Sequence, residues 1–221
     1  MKVLVAPLIM PGMLMKAHWA LLEIVQKGWP LVRTDALRTE MRRNRIAEHL
    51  LATQDADAVV MLDGDHKHPG DVVHKLLHDA EQMPEADVIG ALCYRRSAPY
   101  DPCAWMLDHH SGKYYWSVPW PEGLVEVDAV GFGAVLFRRR CFEILPPPWF
   151  IYDYQYVIRE DTWPTEDVTF CKEARKAGLR IFVDTTLESP HLFEGEITRE
   201  TCLSYLAANP NAVKEYDNAS N

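Results

Sequence analysis

Residues 58–65, Ala58-Val59-Val60-Met61-Leu62-Asp63-Gly64-Asp65, decide how this chain is read. Five apolar residues in a row, with no polar alternation, describe a strand buried on both faces. The run stops at two carboxylates separated by a glycine. Gly64 lets the chain turn so that both acids approach one point. Open α/β sheets bind ligands beyond the carboxyl ends of their strands. Hard cations such as Mg²⁺ and Mn²⁺ take oxygen ligands and bridge to phosphates. A strand ending in Asp-x-Asp therefore suits a metal–diphosphate clamp, although an Asp-Gly-Asp turn on its own is also an ordinary solvated turn.

Upstream, Val3 to Ala6 is a short apolar run closed by Pro7, which reads as a buried strand and a loop. Leu14 to Gln26 has helical spacing, with Gly28 and Pro30 as its stop, and Leu31-Val32 is a candidate second strand. Leu37 to Leu51 reads as a helix whose Met41, Ile46, Ala47, Leu50 and Leu51 form an apolar stripe. Downstream, Pro69 opens a helix over Asp71 to Glu81, and Val88 to Leu92 is another buried strand. This alternation implies a mostly parallel sheet covered by helices.

Beyond residue 92 the composition shifts. Residues 94–124 are rich in Pro, Tyr, Trp and Gly, with a strand expected over Lys113 to Val118. Val125 to Val130 and Ala134 to Phe137 are expected strands flanking Gly131-Phe132-Gly133, and Cys141 to Leu145 is a short helical turn. Residues 149–164 are aromatic and irregular, a loop over a site. Glu166 to Ala177 is a helix closed by Gly178, Arg180 to Asp184 a last strand, and the tail from Thr198 one helix.

The 221 residues are 48% apolar and 25% charged, the balance of a globular protein. At this length one domain is expected over 1–221, with 1–92 as a nucleotide-binding half, 93–197 as an acceptor half and 198–221 as a tail. The net charge of −9 argues against a broad, non-specific grip on nucleic acid. The arginine groups 38–45 and 138–140 read as solvated faces. Five cysteines without a Cys-x-x-Cys spacing suggest reduced thiols and a cytoplasmic setting. No apolar run is long enough to span a membrane, and the first residues read as a strand, not a signal peptide.

Two further groups carry chemistry. Thr165-Glu166-Asp167 opens a helix, where Thr165 can cap and the acids suit the helix dipole; one acid could equally serve as a general base. Ser189-Pro190-His191 follows the last strand, and a neutral imidazole can complete a metal site. A zinc site built from Asp63, Asp65, His66 and His68 is disfavoured because so many ligands within one turn rarely close a tetrahedron. His74 and His78 lack the glutamate of the zinc-protease helix, and Gly131-Phe132-Gly133 lacks the dinucleotide fingerprint.

Taken together, these features occur in a recognisable order: Asp-x-Asp after a strand, a strand entered through Gly-Phe-Gly-Ala, Glu-Asp at a helix start, and His after the final strand. Over residues 1–193 the chain resembles the family-2-like glycosyltransferases of the GT-A fold. Its Arg43-Asn44 pair on the helix before Asp-x-Asp is similar to compact bacteriophage-encoded members, which would place the protein in a host cytoplasm. The resemblance implies a Rossmann-like central sheet with a small antiparallel extension on the acceptor side. It implies transfer of a sugar from a UDP- or GDP-sugar to an acceptor hydroxyl by an inverting reaction in which Asp167 acts as base with Glu166 beside it. It implies Mn²⁺ or Mg²⁺ held by Asp65 and His191, with Asp63 nearby or toward the ribose. Pro7 and Arg43 would lie toward the nucleotide, Gly131, Phe132 and Gly133 under the transferred sugar, and Trp163 against an acceptor ring. The acceptor stays open among glycan, protein and modified nucleic acid. Pro7-Leu8-Ile9-Met10-Pro11 lacks the Asn that family members carry there, and Thr34-Asp35 is a displaced acid, so the base stays open as well. The competing readings are a nucleotidyltransferase of related fold and an inactive nucleotide-sugar-binding module. The Gly- and Lys-poor segment 7–16 disfavours the first.

Overall fold

The structure, a computed structural model, describes residues 1–9, 15–34, 38–111, 114–115, 120–152, 165–193 and 196–210. Its strands are β1 (Val3–Leu8), β2 (Ala58–Asp63), β3 (Val88–Leu92), β4 (Ala104–Leu107), β5 (Tyr114–Tyr115), β6 (Leu124–Val127), β7 (Ala129–Val130), β8 (Ala134–Arg138), β9 (Ile181–Glu188), β10 (His191–Leu192) and β11 (Glu196–Ile197). The helices among the described residues are α1 (Met15–Val25), α2 (Thr39–Ala52), α3 (Val72–Gln82), α4 (Arg139–Ile144), α5 (Glu166–Lys176) and α6 (Arg199–Ala208).

Six strands form the central sheet in the order β1-β2-β8-β3-β9-β6. β1, β2, β3 and β9 run one way, while β8 and β6 run against them. Along β1 and β2 alternate residues enter opposite cores. Leu4, Ala6, Val59 and Met61 pack with α2, α4 and α5 residues on one face; Val3, Val5, Val60 and Leu62 pack with α1 and α3 on the other. Both faces are covered, which is why these strands read as unbroken apolar runs. β5, β4 and β7 make a small antiparallel sheet, and β10 pairs with β11. Gly28 and Gly178, with φ of +80° and +79°, stop α1 and α5 in the left-handed conformation that a side chain would strain.

Several local expectations change. Pro7 does not close β1 but lies within it, opposite Leu62; β1 is the edge strand of the sheet, where a residue lacking N–H costs no ladder bond. Leu31 makes a single bridge to Val5 in place of a second strand. Val125 to Val130 divides at Asp128, whose buried carboxylate accepts from Leu107 N at 2.7 Å and pairs with Arg175 at 2.9 Å, so that β6 joins the large sheet and β7 the small one. The strand expected over 113–118 is seen at Tyr114–Tyr115; residues 113 and 116–118 lie outside the described residues.

The arginines of 138–140 are not a solvated face. Arg139 donates to the carbonyls of Leu50, Leu51 and Thr53 at 2.7–2.9 Å, closing the C-terminal end of α2 where helix carbonyls lack partners. Arg138 donates to Ala86 O at 2.7 Å, and Arg140 pairs with buried Asp87. Trp149 and Phe150, at the start of the expected loop, belong to the core: Phe150 stacks on Phe170 at 4.9 Å, and the Asn44 side chain accepts from the N–H groups of Trp149 and Phe150 at 2.8 and 3.2 Å.

Candidate functional site

The four co-directional strands deliver their carboxyl ends to one edge of the sheet. Leu8 ends opposite Asp63, and Leu92 opposite Glu188. Asp63 and Asp65 follow from β2, Cys93 and Tyr94 from β3, and His191 from just past β9. Gly131-Phe132-Gly133 reaches the same edge before β8.

Here Asp65, His66 and His191 bring one donor atom each within 4.8 Å of one another. Asp65 Oδ1 lies 3.0 Å from His66 Nδ1, and Asp65 Oδ2 lies 3.2 Å from His191 Nε2. The two imidazoles stack at 4.1 Å between ring centres, in register with a backbone bridge between His66 and His191. The His191 Nδ1–H donates to the Tyr94 carbonyl at 3.1 Å, which fixes the tautomer and turns the Nε2 lone pair toward Asp65. A neutral imidazole lone pair and a carboxylate oxygen repel at this distance unless a proton or a metal ion lies between them. Donors about 2.1 Å from a metal and at right angles stand about 3.0 Å apart, close to both spacings. One carboxylate and two imidazoles suit Mn²⁺ and its first-row neighbours. Burial works against the Asp65 charge, but without a metal the protonated rings of His191 and His66 donate to it, outweigh burial and hold the carboxyl well below its usual range.

His66 is the candidate ligand that the sequence argument set aside. Four ligands on one turn do not converge, and indeed His68 and Asp63 turn elsewhere. His68 bonds Ser189 Oγ at 2.9 Å and Asp63 O at 2.8 Å; burial, then the neighbouring His66, pushes it down to about 3, so it is a neutral structural residue. Convergence comes instead from the distant strand carrying His191. The alternation of Asp65 and His66 about a bridge to residue 191 is a pairing signal that a single sequence does not carry.

Asp63 has a different partner. Its two carboxylate oxygens lie 2.8 and 2.9 Å from Arg43 Nη2. Arg43, 1% exposed on α2, also donates Nε to Glu166 Oε1 at 3.2 Å and lies 5.5 Å from the centre of the Phe132 ring. Burial raises Asp63 to about 6 against the pull of Arg43, so the pair is ionic at neutral pH. Arg43 thus ties the end of β2 to the start of α5.

At that start Glu166 is buried and Asp167 half-buried. Thr165 is the N-cap, yet its hydroxyl bonds the Asp167 carboxylate, which also accepts from Val168 N at 2.8 Å. Burial, then the Glu166 charge, pushes Asp167 up to about 7.

The glycines press against the site from behind. A Cβ on Gly133 would stand 2.5 Å from His66 Nε2, and one on Gly131 would stand 2.7 Å from Cys103 Cβ. Phe132 points into the core at 2% exposure and packs on Phe137, Phe150 and Phe170. Pro7 sits half-buried at the same edge. Trp163 lies outside the described residues.

No protein-family model and no curated protein sequence matches the chain. Among solved structures it is similar to A197 from STIV, with a TM-score of 0.61, 20% identity, and coverage of 87% of this chain and 86% of that one. A looser likeness, TM-score 0.43 and 15% identity, covers 94% of this chain and 98% of a CMP:2-keto-3-deoxy-manno-octonic acid synthetase solved with CTP. No helix among the described residues is long and apolar enough to cross a membrane. The architecture, a six-stranded Rossmann-like sheet between helices with a small antiparallel sheet beside it, is the fold this chain shares with A197.

Proposed function

We propose that the chain is a divalent-metal-dependent glycosyltransferase of the GT-A type, moving a sugar from a nucleoside-diphosphate sugar to an acceptor hydroxyl with inversion. The observation that carries this reading is the Asp65, His66 and His191 cluster at the carboxyl edge of the sheet, joined through Arg43 to an acidic helix start bearing Asp167. Strand ends at such an edge are where α/β sheets hold nucleotides.

Asp65, His66 and His191 would hold Mn²⁺ or Mg²⁺, which supplies charge neutralisation of the leaving diphosphate. Asp167 is the base. It is the more exposed of the two acids, and a carboxylate raised to about 7 accepts a proton from an attacking hydroxyl near neutral pH. Glu166, turned onto Arg43, holds the helix start in place. Asp63 is committed to Arg43 and shapes the turn that presents Asp65. Pro7 and the β1 end face the nucleotide, the half 93–197 receives the acceptor, and the backbone at Gly131 and Gly133 keeps His66 and Cys103 in place.

The test is incubation with UDP-, GDP-, TDP- and CMP-sugars in Mn²⁺, following free nucleotide, with Asp65→Ala as control. Metal-dependent release from one donor, absent in the variant, supports transfer. Pyrophosphate released from a nucleoside triphosphate and a sugar phosphate would replace it with nucleotidyl transfer, and binding of a donor without turnover would leave an inactive binding module.

A further inference from the structure

Arg96 stands at the mouth of the metal cluster. Its Nη1 lies 3.4 Å from Asp65 Oδ2, the same oxygen that His191 faces, and its side chain is 51% exposed. The loop that carries it is fixed at both ends. Cys103 N bonds Cys93 O at 2.8 Å, Arg95 N bonds Asp101 O at 3.0 Å, and Tyr94 bridges Pro102. Within it Tyr100 N bonds Ser97 O at 2.9 Å, and the Tyr100 ring packs on Tyr205 at 5.5 Å. The root of Arg96 is therefore held while its guanidinium stays at the solvent boundary.

Asp65 offers a single negative charge. A divalent cation on Asp65 with two neutral imidazoles leaves the centre with one net positive charge, and Arg96 beside it adds another. Two like charges at this spacing repel unless an anion joins them. The guanidinium fork matches phosphate oxygens, and a diphosphate carries the charge needed to reconcile both cations.

We propose that Arg96 is a second cation for the donor's diphosphate, exchanging Asp65 for a phosphate oxygen when metal and nucleotide are both bound. This rests on the metal site proposed above. Arg96 competes with the metal for Asp65 in the free protein and cooperates with it once the diphosphate is present. Coupling of this kind is reciprocal. It gives removal of Arg96 opposite effects on the two binding steps, a signature that a merely structural arginine would not produce.

The experiment is titration calorimetry on the full chain with MnCl₂ alone and with equimolar Mn²⁺–pyrophosphate, comparing wild type, Arg96→Ala and Asp65→Ala. Pyrophosphate is used because it is independent of the base. The expected result is that Arg96→Ala binds Mn²⁺ alone as tightly as wild type or tighter, yet binds Mn²⁺–pyrophosphate at least about tenfold more weakly. Weaker binding of Mn²⁺ alone by Arg96→Ala, or unchanged affinity for Mn²⁺–pyrophosphate, would overturn the proposal while leaving the metal site standing. Mn²⁺ binding that is equal in wild type and Asp65→Ala would overturn the metal site and the proposal with it.

Discussion

Arg43 and Glu166, 123 positions apart, meet with Nε 3.2 Å from Oε1 in a fully covered part of the molecule, and the other side of the same guanidinium holds Asp63 at 2.8 Å. One side chain on α2 thus sets the relation between the strand that ends in Asp65 and the helix that begins with Asp167. Removing it leaves the buried Glu166 and the half-buried Asp63 without this counter-charge. Arg43→Met is expected to lose about 3–5 kcal/mol in urea denaturation. Arg43→Lys, which cannot span both acids, is expected to recover only part of it. A loss below about 1 kcal/mol for Arg43→Met would show that the arginine is no strut.

Asp167 makes a pH prediction. Burial and the Glu166 charge favour its neutral form and place its titration at about 7. A base works only when ionised, so turnover should be lost as pH falls through about 7 and level off above it. The stability effect has the opposite sense. A carboxyl whose folded pKa is raised favours folding while protonated, and that contribution fades as pH rises through the folded value. Asp167→Asn should therefore abolish turnover yet be more stable than wild type at about pH 8, with the difference shrinking toward about pH 5. A variant that keeps its turnover would remove Asp167 from the role of base.

Gly133 separates packing from chemistry. An added Cβ would meet His66 Nε2 at 2.5 Å, so Gly133→Ala must displace the imidazole. The stabilisation by Mn²⁺ in a thermal melt should disappear. Gly28→Ala is the control: φ is +80° with nothing within 4 Å of the new Cβ, so it should cost about 1 kcal/mol of stability and leave the Mn²⁺ response intact. Equal Mn²⁺ responses in the two variants would contradict the placement of His66 in the metal site.

The donor set also ranks the metals. Two imidazoles favour first-row transition ions over Mg²⁺, so Co²⁺ and Mn²⁺ should raise the melting temperature at concentrations where Mg²⁺ does not. Replacing His66 or His191 by Ala should narrow that preference, and an unaltered ranking in both variants would place the ion elsewhere.

Much of this was legible in the residues because of how they are buried. β2 and β3 are apolar on both faces, which writes them as continuous runs, and Gly28 and Gly178 marked helix ends through a conformation that few other residues adopt. Asp65 and His191, both expected as metal ligands, stand 3.2 Å apart. β9 was underestimated because Thr185 and Thr186 interrupt its apolar run, although the buried Thr185 hydroxyl donates to Pro121 O at 2.7 Å. β10 and β11 are two residues each, too short for any periodicity. His66 and the strut role of Arg43 depend on long-range pairing, and Arg43 stands among other charged residues on α2, where nothing local distinguishes a buried arginine from a solvated one.

The most direct measurement is anomalous scattering from crystals grown with Mn²⁺ and the nucleoside diphosphate of the active donor. The account predicts a manganese peak coordinated by Asp65, His66 and His191, with the diphosphate on its open side and Asp167 facing the cavity beyond. A manganese ion bound at Glu166 and Asp167, or a nucleotide lying away from the carboxyl ends of β1 and β2, would contradict it.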